Sequence, residues 1–149
     1  MSDAVIDASA LLLGLEPEGD LARRALVALA DERRLAAPAL LAWEVGHVIH
    51  RKRPGRYGAT HEERQEAFEA ATSAVALVAP TPEALAAAAR LCAAHPVGFY
   101  DAAYLEMAAR GEGSVLVSAD ADLLRVARRV LGEGRALTVE AAAALGEAG

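Results

Sequence analysis

The chain has 149 residues, 54% of them apolar and only 4% aromatic, with 21 acidic against 15 basic side chains for a net charge of −6. That length suits one domain with a real core, and a single cysteine, Cys92, excludes an internal disulfide or a paired-thiol zinc or redox site. The acidic balance argues against a broad basic face for polyanions, and no apolar run nears the roughly 18 residues of a membrane span, so a soluble, cytoplasmic protein with no membrane association is expected.

Ala4 to Ile6 is a short apolar run that stops at Asp7, as a buried parallel strand would. Leu21 to Asp31 repeats apolar residues at helical spacing. Leu35 to Ala37 predicts a second strand, and Pro38 is expected to open a helix running to about Arg53, ended by Pro54-Gly55. The basic stretch Arg51 to Tyr57 is expected to be an exposed flexible loop. Thr60 followed by Glu63 spells a capping box for a helix to Ser73. Val75 to Ala79 reads as strand three, and Thr81-Pro82-Glu83 opens a helix to about His95. Pro96 and Gly98 break the chain before a helix from about Phe99 to Arg110, closed by Gly111 and Gly113. Ser114 to Val117 is the fourth strand, Asp120 to Leu131 a helix, Ala136 to Val139 the fifth strand, and the tail an Ala-rich helix. Strands alternating with helices imply a three-layer α/β/α sandwich around a mainly parallel five-stranded sheet, over residues 1–149 as a single domain.

Ligands of open parallel sheets bind beyond the carboxyl ends of the strands, where this order places Asp7 and Asp120. If their strands are neighbours where strand order reverses, the two carboxylates meet in one crevice. On the helix after Pro38, Leu41, Val45 and Val48 form the apolar stripe, with Glu44, His47 and Arg51 on its flank. Asp101 shares a face with Tyr104, Leu105 and Ala108. Each acid also has a plain structural reading: Asp7 capping the short turn after it, Asp120 as an N-cap, Asp101 favouring a helix N-terminus, and Glu44 pairing with Arg51. Four carboxylates at one edge would repel by roughly 4 kcal/mol per close pair at an effective dielectric of about 20, which calls for a hard cation with oxygen ligands, Mg²⁺ or Mn²⁺.

Val5-Ile6-Asp7-Ala8-Ser9-Ala10-Leu11, Pro38 ahead of Glu44-Val45, Phe99-Tyr100-Asp101-Ala102-Ala103-Tyr104 and Leu116-Val117-Ser118-Ala119-Asp120, in this order over nearly the whole chain, resemble the PIN-domain family, in particular its VapC-type toxin ribonucleases. The resemblance implies that Asp7, Glu44, Asp101 and Asp120 are both catalytic residues and metal ligands. It makes Ser9 and Ser118 supporting hydroxyls, and gives Asp122 either a part in holding a second ion or only a role at its helix N-terminus. It further implies hydrolysis of RNA by metal-activated water, commonly leaving a 5′-phosphate and a 3′-hydroxyl, inhibition by a cognate antitoxin protein, and a homodimer. Arg51, Lys52, Arg53 and Arg56 are weaker candidates for RNA phosphates, with Tyr57 as a base-stacking partner; the alternative is that they only solvate a loop.

Other acid-rich α/β folds fit less well. A receiver domain wants a lysine near the last strand, whereas Lys52 is the only lysine. An aspartyl-nucleophile phosphatase wants a second Asp where Ser9 stands. No Gly-rich phosphate loop is present, and His47 and His50 lack a third ligand. The remaining alternative is a PIN-like protein that binds RNA or a partner without cleaving.

Overall fold

The computed structural model describes residues 2–148, with side chains through residue 145. The apolar runs form five short strands, β1 (Asp3–Ile6), β2 (Arg34–Pro38), β3 (Ala76–Val78), β4 (Val115–Val117) and β5 (Ala136–Leu137). All pair in parallel, in the order β3-β2-β1-β4-β5. Parallel neighbours cannot be joined by tight turns, so helices make the crossovers. These are α1 (Ala8–Leu15) and α2 (Asp20–Glu32), then α3 (Leu40–His47) and α4 (His61–Ser73), α5 (Pro82–Ala94) and α6 (Phe99–Arg110), α7 (Ala121–Leu131), and finally α8 (Val139–Ala148). Strand order runs outward from β1 in one direction and from β4 in the other. Right-handed crossovers therefore put α1 to α4 on one face and α5 to α7 on the other, the α/β/α sandwich expected from the sequence.

The core lies on both faces of the two central strands. Ala4, Val5, Ile6 and Leu116 have no exposed surface. Helix α6 packs across β1, β2 and β4, while α2 and α8 pack on each other. Because β1 pairs with β4 in register Ile6↔Val117, the chain leaves both strands at one edge, at the point where the order reverses.

Several local expectations need correction. Pro38 does not open a helix: it is the last residue of β2, opposite Val78, and Ala39 donates its N–H to the Val78 carbonyl at 2.9 Å. A proline is tolerated there because β1 pairs with β2 only as far as Val5↔Ala36, so no neighbour on that side needs its N–H. The helix after it ends at His47, and Val48–Lys52 forms a wider π turn closed by Arg53 N–H donating to the Val48 carbonyl at 2.9 Å. Ile49, not Val48, completes the buried stripe of Leu41 and Val45. The stretch expected to be a flexible loop is ordered by this turn and by a 3₁₀ turn at Pro54–Arg56. Tyr57 is buried and its hydroxyl donates to Glu16 at 3.2 Å, so it is not free to stack a base. In place of a short turn after Asp7 stands the eight-residue helix α1. The Thr60–Glu63 capping box is present as expected. No helix among the described residues is long and apolar enough to cross a membrane.

Candidate functional site

Asp7 leaves β1 and caps α1, where the structural and chemical readings coincide. Its Oδ1 accepts from the Ala10 amide at 2.9 Å and the Ser9 hydroxyl at 2.7 Å, and its Oδ2 from the Ser118 hydroxyl at 2.5 Å. Ser118, buried at the end of β4, in turn accepts from the Asp120 amide at 2.9 Å, and Ser9 from the Ala119 amide at 3.0 Å. Each hydroxyl has one proton and gives it to Asp7, so the 3.4 Å approach of the two serine oxygens is a van der Waals approach rather than a third bond. The chain ends after β1 and β4 are thereby stitched together through one carboxylate. Three donors leave about one of its four lone-pair sites open.

Asp120 caps α7, accepting from the Asp122 and Leu123 amides at 2.9 and 3.3 Å, both on Oδ1. Oδ2 therefore has no hydrogen bond among the described residues. Glu44, half-buried on α3, accepts from the Tyr104 hydroxyl at 2.6 Å; Arg51 is not its partner. Asp101, half-buried in the first turn of α6, has neither a hydrogen bond nor an ion pair to its side chain among the described residues. Tyr104 stands one turn further along the same helix, so α6 presents one acid to the site and fixes another. By its sequence alone Tyr104 reads only as packing; its spacing of three from Asp101, on a face with a half-buried glutamate opposite, is the available signal.

The electrostatics join the four acids. Burial pushes the Asp7 carboxyl above its ordinary value, opposed by the hydrogen bonds from Ser118, Ala10 and Ser9 and reinforced by the charge of Asp120. Burial also raises Glu44; the Tyr104 hydroxyl opposes this, and Asp101 and Asp7 add to it. Asp101 is raised by burial, then by Asp120 and Asp7. Tyr104 is held protonated by burial and by its bond to Glu44. No ion pair to an arginine, lysine or histidine neutralises any of the four among the described residues.

Among the described residues, no group of three or more His, Cys, Asp or Glu side chains is gathered closely enough to hold a metal ion as it stands. Mg²⁺ in particular takes one or two carboxylates plus waters rather than an all-protein cage. The donor set, oxygen only, uncompensated and with lone pairs to spare, fits a hard divalent cation.

The other sequence candidates lie around this edge. Asp122 is on the exposed first turn of α7, paired with Arg125 at 2.9 Å. Arg56 is paired with Glu16 at 3.3 Å and with Glu18. Lys52 and Arg53 line a cavity that reaches Ser9 and Ala119, while Arg51 is exposed outside it. Of the histidines, His50 contacts Gln65 at 3.0 Å and His47 is exposed. Glu16, which no motif in the sequence marks, is a buried carboxylate against the basic segment.

Residues 4–129 match the PIN domain family. The fold is similar to the crystal structure of PAE2754 from Pyrobaculum aerophilum, with a TM-score of 0.71 and 24% identity over 99% of this chain and 91% of that one. No curated protein gives a significant match.

Proposed function

The chain belongs to the PIN domain family, whose members are generally metal-dependent nucleases that bind RNA, and from that premise we propose that it is a Mg²⁺- or Mn²⁺-dependent endoribonuclease acting as the toxin of a type II toxin–antitoxin pair. One observation carries the catalytic part: no arginine, lysine or histidine is ion-paired to Asp7, Glu44, Asp101 or Asp120 among the described residues, and burial and neighbouring acids push the first three carboxyls upward. A bound divalent cation supplies neutralisation of phosphate charge and a lowered pKa for its water. Asp7 and Asp101 would be its firmest ligands, with Glu44 and Asp120 as the remaining candidates around it. Ser9 and Ser118 hold the Asp7 carboxylate in one orientation, and Tyr104 does the same for Glu44. Asp122, tied to Arg125, serves the N-terminus of α7 rather than the ion.

The test is cleavage of fluorescent RNA with Mn²⁺ or Mg²⁺, with and without EDTA. Wild type is expected to cut only with metal, and Asp7→Asn to lose at least about a thousandfold, as when an essential catalytic group is removed. Cleavage surviving in Asp7→Asn rejects the assignment, and metal-independent RNA binding without cleavage favours a non-catalytic member.

The toxin role rests on the resemblance to VapC-type proteins, and a cytoplasmic location on the single cysteine, Cys92, which suits a reducing compartment. A short adjacent reading frame encoding a DNA-binding segment and a tail able to block the acidic crevice is the expected antitoxin. A homodimer is supported by exposed aromatics, Trp43 at 80%, Tyr100 at 67% and Phe99 at 47%, the last two beside an apolar groove of about 200 Å³ that includes Leu40, Leu85 and Met107. Light scattering should give twice the chain mass of 15.4 kDa; a monomer at micromolar concentration removes this part.

A further inference from the structure

The four basic residues that the sequence groups together have different surroundings in the fold. Arg56 is spent on Glu16 and Glu18. Arg51 is exposed and does not line the cavity that Lys52 and Arg53 border. Lys52 and Arg53 remain, and both line a cavity of about 330 Å³ whose other walls include Ser9, Ala119, Val48 and Glu16. Neither has an ion-pair partner among the described residues. Glu16 is held by Arg56 at 3.3 Å and by the Tyr57 hydroxyl at 3.2 Å, and against this one carboxylate the lining carries two cations without an ion-pair partner, Lys52 and Arg53. Among the cavity's walls is Ser9, whose hydroxyl donates to Asp7 at 2.7 Å, so the cavity borders the network that holds that carboxylate.

We propose that this cavity is a backbone-phosphate subsite for single-stranded polynucleotide, with Lys52 and Arg53 gripping a phosphate that flanks the scissile bond and Glu16 acting as a positioning residue. The identity of the strand as RNA rests on the nuclease reading above. Two backbone devices put the pair there. The π turn at Val48–Lys52 adds a residue to the helical turn and swings the chain so that Val48, Lys52 and Arg53 border one cavity. Glu16, at the C-cap of α1, then ties the following residues down through Arg56 and buried Tyr57. A net charge of −6 does not oppose such a subsite, because the attraction to a polyanion is then local, from two cations lining one cavity, rather than from a broad basic face.

The experiment measures fluorescence anisotropy of a labelled single-stranded RNA in EDTA, at several salt concentrations, followed by cleavage kinetics with Mn²⁺. Lys52→Ala/Arg53→Ala should weaken binding about tenfold or more and flatten the slope of log K against log salt by roughly 0.7 for each phosphate that is no longer neutralised. Arg51→Ala, equal in charge removed per site but outside the cavity, should stay within about threefold of wild type. Glu16→Gln deletes a negative charge beside the proposed phosphate, so electrostatics alone predicts tighter binding, whereas a brace predicts weaker binding with KM raised and kcat kept. Unchanged affinity and salt slope in the double variant overturn the subsite, as does equal loss in Arg51→Ala; tighter binding by Glu16→Gln overturns the brace. A double variant that loses binding while wild type cuts nothing leaves the subsite standing and removes the nuclease reading. A wild type that cuts RNA with the same KM as the double variant does the reverse.

Discussion

At the scale of single residues, Ser118 shows how one hydroxyl serves structure and chemistry together. It has no exposed surface, donates to Asp7 Oδ2 at 2.5 Å and accepts from the Asp120 amide at 2.9 Å. Its hydrogen bond favours the ionised form of Asp7 against burial, which pushes the other way. If cleavage needs ionised Asp7, the rate falls as pH drops through that residue's pKa, and removing a donor to the carboxylate raises the pKa further. Ser118→Ala is therefore expected to move the acid limb of the pH–rate profile to higher pH and to cost about 1–3 kcal/mol of stability, since the buried Asp7 Oδ2 and the half-buried Asp120 amide each lose their partner. A limb that stays in place or moves lower would show that Ser118 does not hold the charge. Asp7, Glu44, Asp101 and Asp120 stand out in the sequence as candidates because each interrupts an apolar pattern or opens a helix. Their surroundings are less so, because Tyr104 and Glu16 look like ordinary packing or helix-end residues until the chain is folded.

Among elements, the strands and the long helices are legible because their apolar spacing is undisguised: α6 spans Phe99–Arg110, as its period and flanking glycines predict. Helix α1 is hidden because Leu11, Leu12 and Leu13 are consecutive and its eight residues show no polar face. Pro38 misleads because a proline before an apolar segment has the spelling of a helix start, and only the short register of β1 against β2 explains why it ends a strand instead. The hidden helix matters, since α1 carries Asp7 as its cap and Ser9 in its first turn. Its link to α2 depends on Gly19, where an added Cβ would sit 1.8 Å from the Leu13 carbonyl oxygen, a backbone atom that cannot swing away. Gly19→Ala is expected to destabilise the chain by more than about 2 kcal/mol in urea unfolding, and to reduce cleavage by shifting α1. Gly134→Ala, where nothing lies within 4 Å, serves as the control and should change stability by less than about 0.5 kcal/mol. Equal stability of the two variants would mean that the connection yields without cost.

For the whole molecule, the acidic edge is a stability cost that the sheet and helices sustain. Asp7, Glu44 and Asp101 each have a folded-state pKa raised above the ordinary carboxylate value. The folded chain then binds more protons than the unfolded one between those two values, so the contribution of these groups to stability falls as pH rises through that window and stays unfavourable above it. A divalent cation that binds only the folded state opposes this at neutral pH. At a hundredfold excess over its Kd it adds about 2.7 kcal/mol, which for a chain of this size raises Tm by roughly 5–10 °C. Asp101→Asn removes one of the repelling charges, so it should raise the Tm of the metal-free protein at pH 7 and shrink the shift that Mg²⁺ or Mn²⁺ produces. Protons and the cation compete for the same oxygens, so the metal shift should also fade as pH is lowered into the carboxylate range, while the metal-free Tm difference between wild type and Asp101→Asn narrows with it. Differential scanning calorimetry across pH and metal concentration reads all of these at once. A metal shift of undiminished size in Asp101→Asn, or one that persists when the carboxylates are protonated, would place the cation somewhere other than the edge where β1 and β4 end.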